Sequence, residues 1–130
     1  VRISTDRPPN YDEIIKSFPL AAKQRSILFT YGDTIYNPDN VKLIPSLEAH
    51  EEIHSIRQQY FTPEKWWETY IEDVDFRLYE ELLAHRKEYE AEHIYGRTHR
   101  RLMFKVIAKK LASPLYRFGI SERQAANLLR

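Results

Sequence analysis

Two histidines four residues apart, His50 and His54, enclose Glu51-Glu52-Ile53. On a helix, residues i and i+4 lie one turn apart on the same face, so two imidazoles can meet one ion. The glutamate after the first histidine projects to the side of that pair, where it can take a proton from a metal-bound water. Zinc lowers that water's pKa to about 7, so hydroxide is available at neutral pH. The pattern H-E-x-x-H therefore points to zinc-assisted hydrolysis, with His50 and His54 as ligands and Glu51 as general base. A catalytic zinc usually has three protein ligands and one open position. His54 is followed by Ser55-Ile56-Arg57, so no histidine continues the motif at x-x-Gly-x-x-His spacing. The third ligand must come from elsewhere, and the candidates are Glu80, Glu81, His85 and Glu88, then Asp73 and Asp75. Glu81 heads Glu81-Leu82-Leu83-Ala84, where the small residue one turn on lets two helices approach. Periodicity alone does not decide between Glu80 and Glu81.

The motif needs a helix to carry it. Pro45-Ser46 opens one that runs to about Tyr60, with Ser46 expected as the N-cap. At about 100° per residue, His50, His54, Leu47 and Phe61 share one face, and Ala49, Ile53 and Ile56 lie beside it. This predicts both histidines at the edge of an apolar buried stripe, with Glu52 facing solvent. Ahead of the helix, Ser26–Tyr31 and Thr34–Tyr36 are rich in strand formers, and Gly32-Asp33 between them is a turn signal, which together predict a hairpin. Asn37-Pro38-Asp39-Asn40 is a loop, and Val41–Ile44 is either a third strand or an extended approach. The first ten residues form an extended arm around Arg7-Pro8-Pro9. Asn10 with Glu13 starts a short helix from about Tyr11 to Ser17. Downstream, Thr62 caps a helix with Pro63 at its first position. Further helices run from about Val74 to near Gly96 and from about Thr98 to Leu111. Ser121 with Gln124 makes a capping box for Glu122–Leu129. The expectation is one mostly helical α+β domain over residues 1–130, with a small N-terminal hairpin or sheet packed on the motif helix.

Composition narrows the partners. The 130 residues suit one domain, and 42% hydrophobic with 30% charged residues is ordinary globular composition. Twenty basic and 19 acidic side chains leave a net charge of +1, which gives no reason to expect nucleic acid or acidic lipid. The absence of cysteine excludes disulfides, thiolate metal sites and a cysteine nucleophile. No stretch approaches the roughly 20 apolar residues of a membrane span, and no signal peptide is visible. Arg97, Arg101, Lys105 and Lys109 form a basic stripe opposite Met103, Phe104, Ile107 and Leu111, as on an ordinary amphipathic surface helix. Trp66, Trp67 and Tyr70 are expected in the core or a cleft wall. Tyr79, His85 and Tyr89 lie near the third-ligand candidates, each a packed side chain or a donor to a developing oxyanion. Arg57 either orients a ligand carboxylate or makes a plain ion pair.

Glu81-x-x-Ala84 downstream of H-E-x-x-H resembles the gluzincin arrangement. That resemblance implies His50, His54 and Glu81 as zinc ligands and Glu51 as general base. The hairpin ahead of the motif helix is similar to that of zincins, whose edge strand lines the substrate cleft. A narrower likeness covers most of the chain. Phe29–Pro38, Leu47–Glu51, Arg57-Gln58, Phe76-Arg77, Glu81 and Ala112–Tyr116 resemble small zincin-like proteins encoded by tailed bacteriophages. The likeness implies a minimal zincin-like domain and a zinc metallopeptidase acting on peptides or proteins, other phage proteins among them, in the host cytoplasm or the virion. The substrate-binding residues and second lobe of larger gluzincins have no counterpart here. Two other functions use the same site: a structural zinc in a virion or assembly protein, and hydrolysis of non-peptide amides or cell-wall peptides. A fourth protein ligand would mark the structural protein, and an open position beside the hairpin edge the enzyme.

Overall fold

A computed structural model describes all 130 residues. The chain begins with a strand, β1 (Arg2–Ser4), then α1 (Tyr11–Ser17) and the short α2 (Leu20–Lys23). The hairpin follows as β2 (Phe29–Tyr31) and β3 (Thr34–Tyr36), and the rest is helical: α3 (Pro45–Gln59), α4 (Pro63–Glu72), α5 (Val74–Ala91), α6 (Arg97–Ala112) and α7 (Glu122–Leu129). The architecture is mostly helical α+β with one three-stranded sheet, ordered β1-β3-β2.

The hairpin turns on Gly32, whose φ of 63° is the positive value that a two-residue turn opening on glycine requires. It pairs Thr30 with Ile35 across the antiparallel strands. Of the two readings of Val41–Ile44, the extended approach holds. Val41–Ile44 stays outside the sheet, and the N-terminal arm supplies β1, pairing parallel with β3 through Ile3 and Ile35. β2 is also shorter than its apolar run, because Ser26 adopts a positive φ of 68° and bends the chain before Phe29.

Helix caps divide in the same way. Thr62 accepts from the Lys65 N–H with Pro63 behind it, and Ser121 and Gln124 close a complete capping box. Ser46 does not cap α3: the N-cap is Ile44, two residues earlier, the helix starts at Pro45, and the Ser46 hydroxyl donates to Glu92 at 2.7 Å. Asn10 precedes α1 but its side chain makes no capping bond. The long helix ends at Ala91, and a 3₁₀ turn (His93–Tyr95) leads to Gly96.

Two apolar clusters flank the middle of the molecule. Ile14, Phe18, Phe29, Trp66, Trp67 and Tyr70 join α1, β2 and α4. Leu82, Ile107, Ala108, Leu111 and Ala125 join α5, α6 and α7. Between them α3 lies on α5, and here the expected apolar stripe is corrected. The buried residues of α3 are Ser46, His50, Glu51, His54, Ser55 and Gln58, while Ile56 is 48% exposed and Phe61 43%. Those polar groups are buried because each meets a partner on another element. Gln58 bonds the Thr30 carbonyl and the Gly32 N–H, and Ser55 donates to the Gly32 carbonyl. The facing side of α5 is equally polar, with Arg77, Glu80, Glu81, His85 and Glu88 buried around Ala84. A fully buried alanine at that point removes the bulk that would hold the two helices apart.

Candidate metal centre

His50 and His54 stand one turn apart on α3, and Glu81 reaches them from α5. His50 Nε2 lies 3.2 Å from His54 Nε2 and 3.2 Å from Glu81 Oε1, and His54 Nε2 lies 3.3 Å from Glu81 Oε2. A tetrahedral ion with bonds of about 2.0–2.1 Å keeps its ligand atoms roughly 3.3–3.4 Å apart; the two imidazole nitrogens have that spacing, and each has a Glu81 oxygen at a similar distance, Oε1 for His50 and Oε2 for His54. Two further observations fit. The Glu81 Oε1 atom is buried and lacks a hydrogen-bond partner of proper geometry despite its closeness to His50. The His50 ring donates from Nδ1 to Glu88 at 2.9 Å, which leaves Nε2 with its lone pair toward the centre. A ligand histidine held by a carboxylate on its far nitrogen is the usual arrangement around metals.

The surrounding charges tell the same story. Burial alone would lower the His50 pKa, but the Glu81, Glu88 and Glu51 carboxylates outweigh it and push the imidazole up to about 10. Burial would likewise raise Glu81, yet the His54 and His50 imidazoles hold it well below the usual carboxylate range. Without an ion, a proton on His50 supplies the cation that these carboxylates demand. Glu51 behaves differently: burial raises it even against the two histidines, and Thr30 donates to its Oε1 at 2.9 Å. Its other oxygen lies 3.6 Å from His50 Nε2, beside the three-residue group.

His85 completes the surroundings. Its Nδ1 shares Glu88 Oε1 with His50, at 3.0 Å, and its Nε2 is 3.1 Å from the Tyr116 hydroxyl and 3.9 Å from Glu81 Oε1. Burial and the nearby His50 charge lower the His85 pKa, so the ring is neutral and accepts from Tyr116. Burial and the Glu81 carboxylate hold the Tyr70 and Tyr116 phenols well above their ordinary range, and Tyr70 donates to Glu81 Oε2 at 2.6 Å. The ligand-capable atoms of His50, Glu81 and His85 lie within 4.8 Å of one another, as do those of His50, Glu51 and His54. This buried His/Glu group can hold a metal ion.

The other candidates go elsewhere. Glu80 is completely buried but turned away, taking Arg57 at 3.0 Å and the Trp66 indole N–H at 2.8 Å. Arg57 is thus a plain ion-pair partner of Glu80. Asp73 caps α5 through the Asp75 and Phe76 N–H groups, and Asp75 is exposed. Glu88 orients the two histidines, with Lys110 2.7 Å from its second oxygen. Tyr79 is 54% exposed and Tyr89 packs on Phe104, so of those three aromatic and histidine side chains only His85 reaches the centre. On sequence alone, Thr30 and Tyr116 have no assigned role in the site and Tyr70 has only a place in the core or a cleft wall. Each comes from a different element, and no local spacing connects them to the motif.

The group forms one wall of a cavity of about 260 Å³. The opposite walls are apolar, from Ile14, Phe18 and Ala21 of α1 and α2, Phe29 of β2, and Leu115. Phe29 and Thr30 of β2, with Ser26–Leu28 before them, line this cavity, but the outward Thr30 carbonyl is not free. Both lone pairs of the Thr30 carbonyl are taken, by Gln58 Nε2 and Trp67 Nε1, each at 2.9 Å. No family model, no curated protein and no solved structure matches the chain.

Proposed function

We propose that the chain is a zinc-dependent hydrolase of peptide or amide bonds, in which His50, His54 and Glu81 hold the ion. The observation that carries this reading is the convergence of two imidazole nitrogens and a carboxylate at 3.2–3.3 Å on a cavity wall, with Glu51 beside them. Two imidazoles and a carboxylate suit zinc among the common cellular metals. Bound there, zinc would lower the pKa of a water to about 7 and polarise the substrate carbonyl.

The chain's own residues do the rest. Glu51 accepts a proton as the water oxygen bonds to the carbonyl carbon. It then returns the proton to the amine nitrogen as the C–N bond breaks, leaving a carboxylic acid and a free amine, which exchange the remaining proton to become carboxylate and ammonium. Thr30 fixes one Glu51 oxygen and so leaves the other facing the centre. Glu88 holds the His50 and His85 rings in one tautomer and orientation. Tyr116, protonated, donates to His85 Nε2 and so holds that ring from its other side. The likeness to small zincin-like proteins of tailed bacteriophages supports the same reading. On that likeness, peptides and phage proteins would be among the substrates, and the protein would act in the host cytoplasm or the virion.

A second reading, a structural zinc, is favoured by His85, whose Nε2 is near enough to the group to close its fourth position. Glu51→Gln separates the two. Glutamine keeps the size and loses the capacity to take a proton. For the hydrolase, zinc content and fold should persist while cleavage of a peptide and amide panel falls by about 10²–10⁴-fold. Cleavage by the wild type that continues undiminished in Glu51→Gln would refute the mechanism. For the structural protein, zinc-loaded wild type cleaves nothing and the substitution changes nothing.

A further inference from the structure

The edge of β2 and the cavity beside the metal group together restrict what can reach the centre. In an antiparallel pair with a two-residue turn, Tyr31 and Thr34 are the hydrogen-bonded pair next to the turn, and Thr30 then points its backbone groups outward. That outward side is where a peptide would add as a further strand. Its acceptor on β2, the Thr30 carbonyl, is already taken. Gln58 and Trp67 saturate the Thr30 carbonyl, Ser55 takes the Gly32 carbonyl, and the Gly32 N–H goes to Gln58. An extended polypeptide bound along β2 would have to displace donors from α3 and α4 that are themselves buried.

What remains open is the cavity. Its volume of about 260 Å³ falls below the roughly 300–1,000 Å³ of drug-sized ligand sites. Its far end is closed by α1, and the C-terminal segment is tied across to α1 by Arg117, which donates to the Ser17 carbonyl at 2.8 Å. Phe18, Ala21, Phe29 and Leu115 give that end an apolar lining, while Lys110 is the one lysine or arginine on the wall. Gln24 and Ser26, both exposed, stand at the cavity's solvent side.

We infer that the ligand of this site is a compact amide of one or two residues, carrying a single apolar side chain that fills the space between the metal group and α1–α2, and not a strand of polypeptide. The inference rests on the zinc-hydrolase reading. It differs from that reading in predicting that length added to the ligand contributes nothing.

Hydroxamates test it, because they bind zinc through the open position and need no turnover. The full chain is loaded with zinc, its metal content is measured, and three probes are titrated by calorimetry: acetohydroxamate, N-acetyl-leucine hydroxamate, and an acetylated hexapeptide ending in leucine hydroxamate. Burying one leucine side chain should improve binding of the second probe over the first by about 10–100-fold. The hexapeptide should bind no tighter than the single residue. Filling the far wall with Ala21→Phe, or with Leu115→Trp should the first variant fail to fold, should keep zinc and acetohydroxamate binding and abolish the leucine advantage. The inference is overturned by a hexapeptide that binds about tenfold tighter than the single residue, by leucine giving no gain, or by a leucine advantage that survives wall filling. Protein that takes up no zinc, or zinc-loaded protein that binds not even acetohydroxamate, instead defeats the underlying reading, and the metal measurement with the acetohydroxamate titration shows which has failed.

Discussion

α5 has two buried faces, and they are built on opposite principles. Toward α6 and α7 it presents Leu82, with Leu78 and Tyr89 at the margin, against Ile107, Leu111 and Ala125. Toward α3 it presents Glu80, Glu81, His85 and Glu88 against His50, His54 and Arg57. Burying a large apolar side chain is favourable by itself, by about 1.5–3 kcal/mol. Burying a carboxylate costs several kcal/mol unless a cation and hydrogen bonds compensate it. At the centre of the α3 seam, Glu51, Glu81 and Glu88 stand against one fixed cation, Lys110, which serves Glu88 alone. The apolar seam is therefore complete as built. The polar seam has more carboxylates than fixed cations, and an ion held there would add to its stability.

The sharpest way to break this contrast is a crossed pair of substitutions. Leu111→Ala leaves a cavity in the apolar seam and should cost about 2–5 kcal/mol in denaturant unfolding, with zinc affinity of the folded protein unchanged. Glu81→Ala should lower zinc affinity by more than about 100-fold, since even partners behind a ligand are worth 10–100-fold. Its metal-free stability should change less than that of Leu111→Ala. Two variants that lose both properties together would show that the seams are one cooperative unit. Chelation is the next test. With zinc at about a thousand times its dissociation constant, bound metal adds roughly 4 kcal/mol of stability, and removing it should lower the unfolding midpoint accordingly. Amide exchange should then rise first in α3 and the facing part of α5, ahead of α6 and α7.

The two seams also differed in how far the sequence revealed them. The apolar pattern of Met103, Phe104, Ile107 and Leu111 is local and periodic, and it places α6 correctly. The motif helix, the hairpin and the Thr62 and Ser121 caps are likewise local signals, and they stand in the structure. β1 was not legible because three residues pair with a strand about thirty positions away, and no local pattern marks that register. The buried stripe of α3 was misread because periodicity weights apolar residues, whereas Ser55 and Gln58 are buried for their hydrogen bonds to the hairpin. Glu80 and Glu81 differ by one helical step, about 100° of rotation, and only the neighbouring elements separate them. Glu80→Ala tests that separation. It leaves the Arg57 guanidinium and the Trp66 N–H without their acceptor, so it should cost about 1–3 kcal/mol of fold stability. Zinc affinity should stay within a few-fold of wild type, in contrast to Glu81→Ala. A zinc loss as large as that of Glu81→Ala would mean that the ion depends on Glu80 as much as on its neighbour.

The smallest effect is expected on the far side of the apolar seam. Arg97, Arg101, Lys105 and Lys109 run along the solvent face of α6, and all four are exposed. Ile107 and Leu111, on the opposite side of the same helix, are completely buried, so the helix is held by its apolar face. Exposed charges in water interact weakly and are screened by salt. Replacing Arg101, Lys105 and Lys109 with glutamine keeps helix propensity nearly constant and removes three positive charges. Each change should move stability by less than about 0.5 kcal/mol, and circular dichroism should show the same helix content. Zinc affinity should also hold, because the cation that serves the metal group is Lys110, one residue further on and turned inward to Glu88. That neighbour supplies the control. Lys110→Gln removes one charge rather than three, yet it should lower zinc affinity where the triple variant does not, because Glu88 then loses its counter-charge while holding His50. A triple variant that loses zinc as readily as Lys110→Gln would show that net charge, and not the placement of one lysine, governs the polar seam.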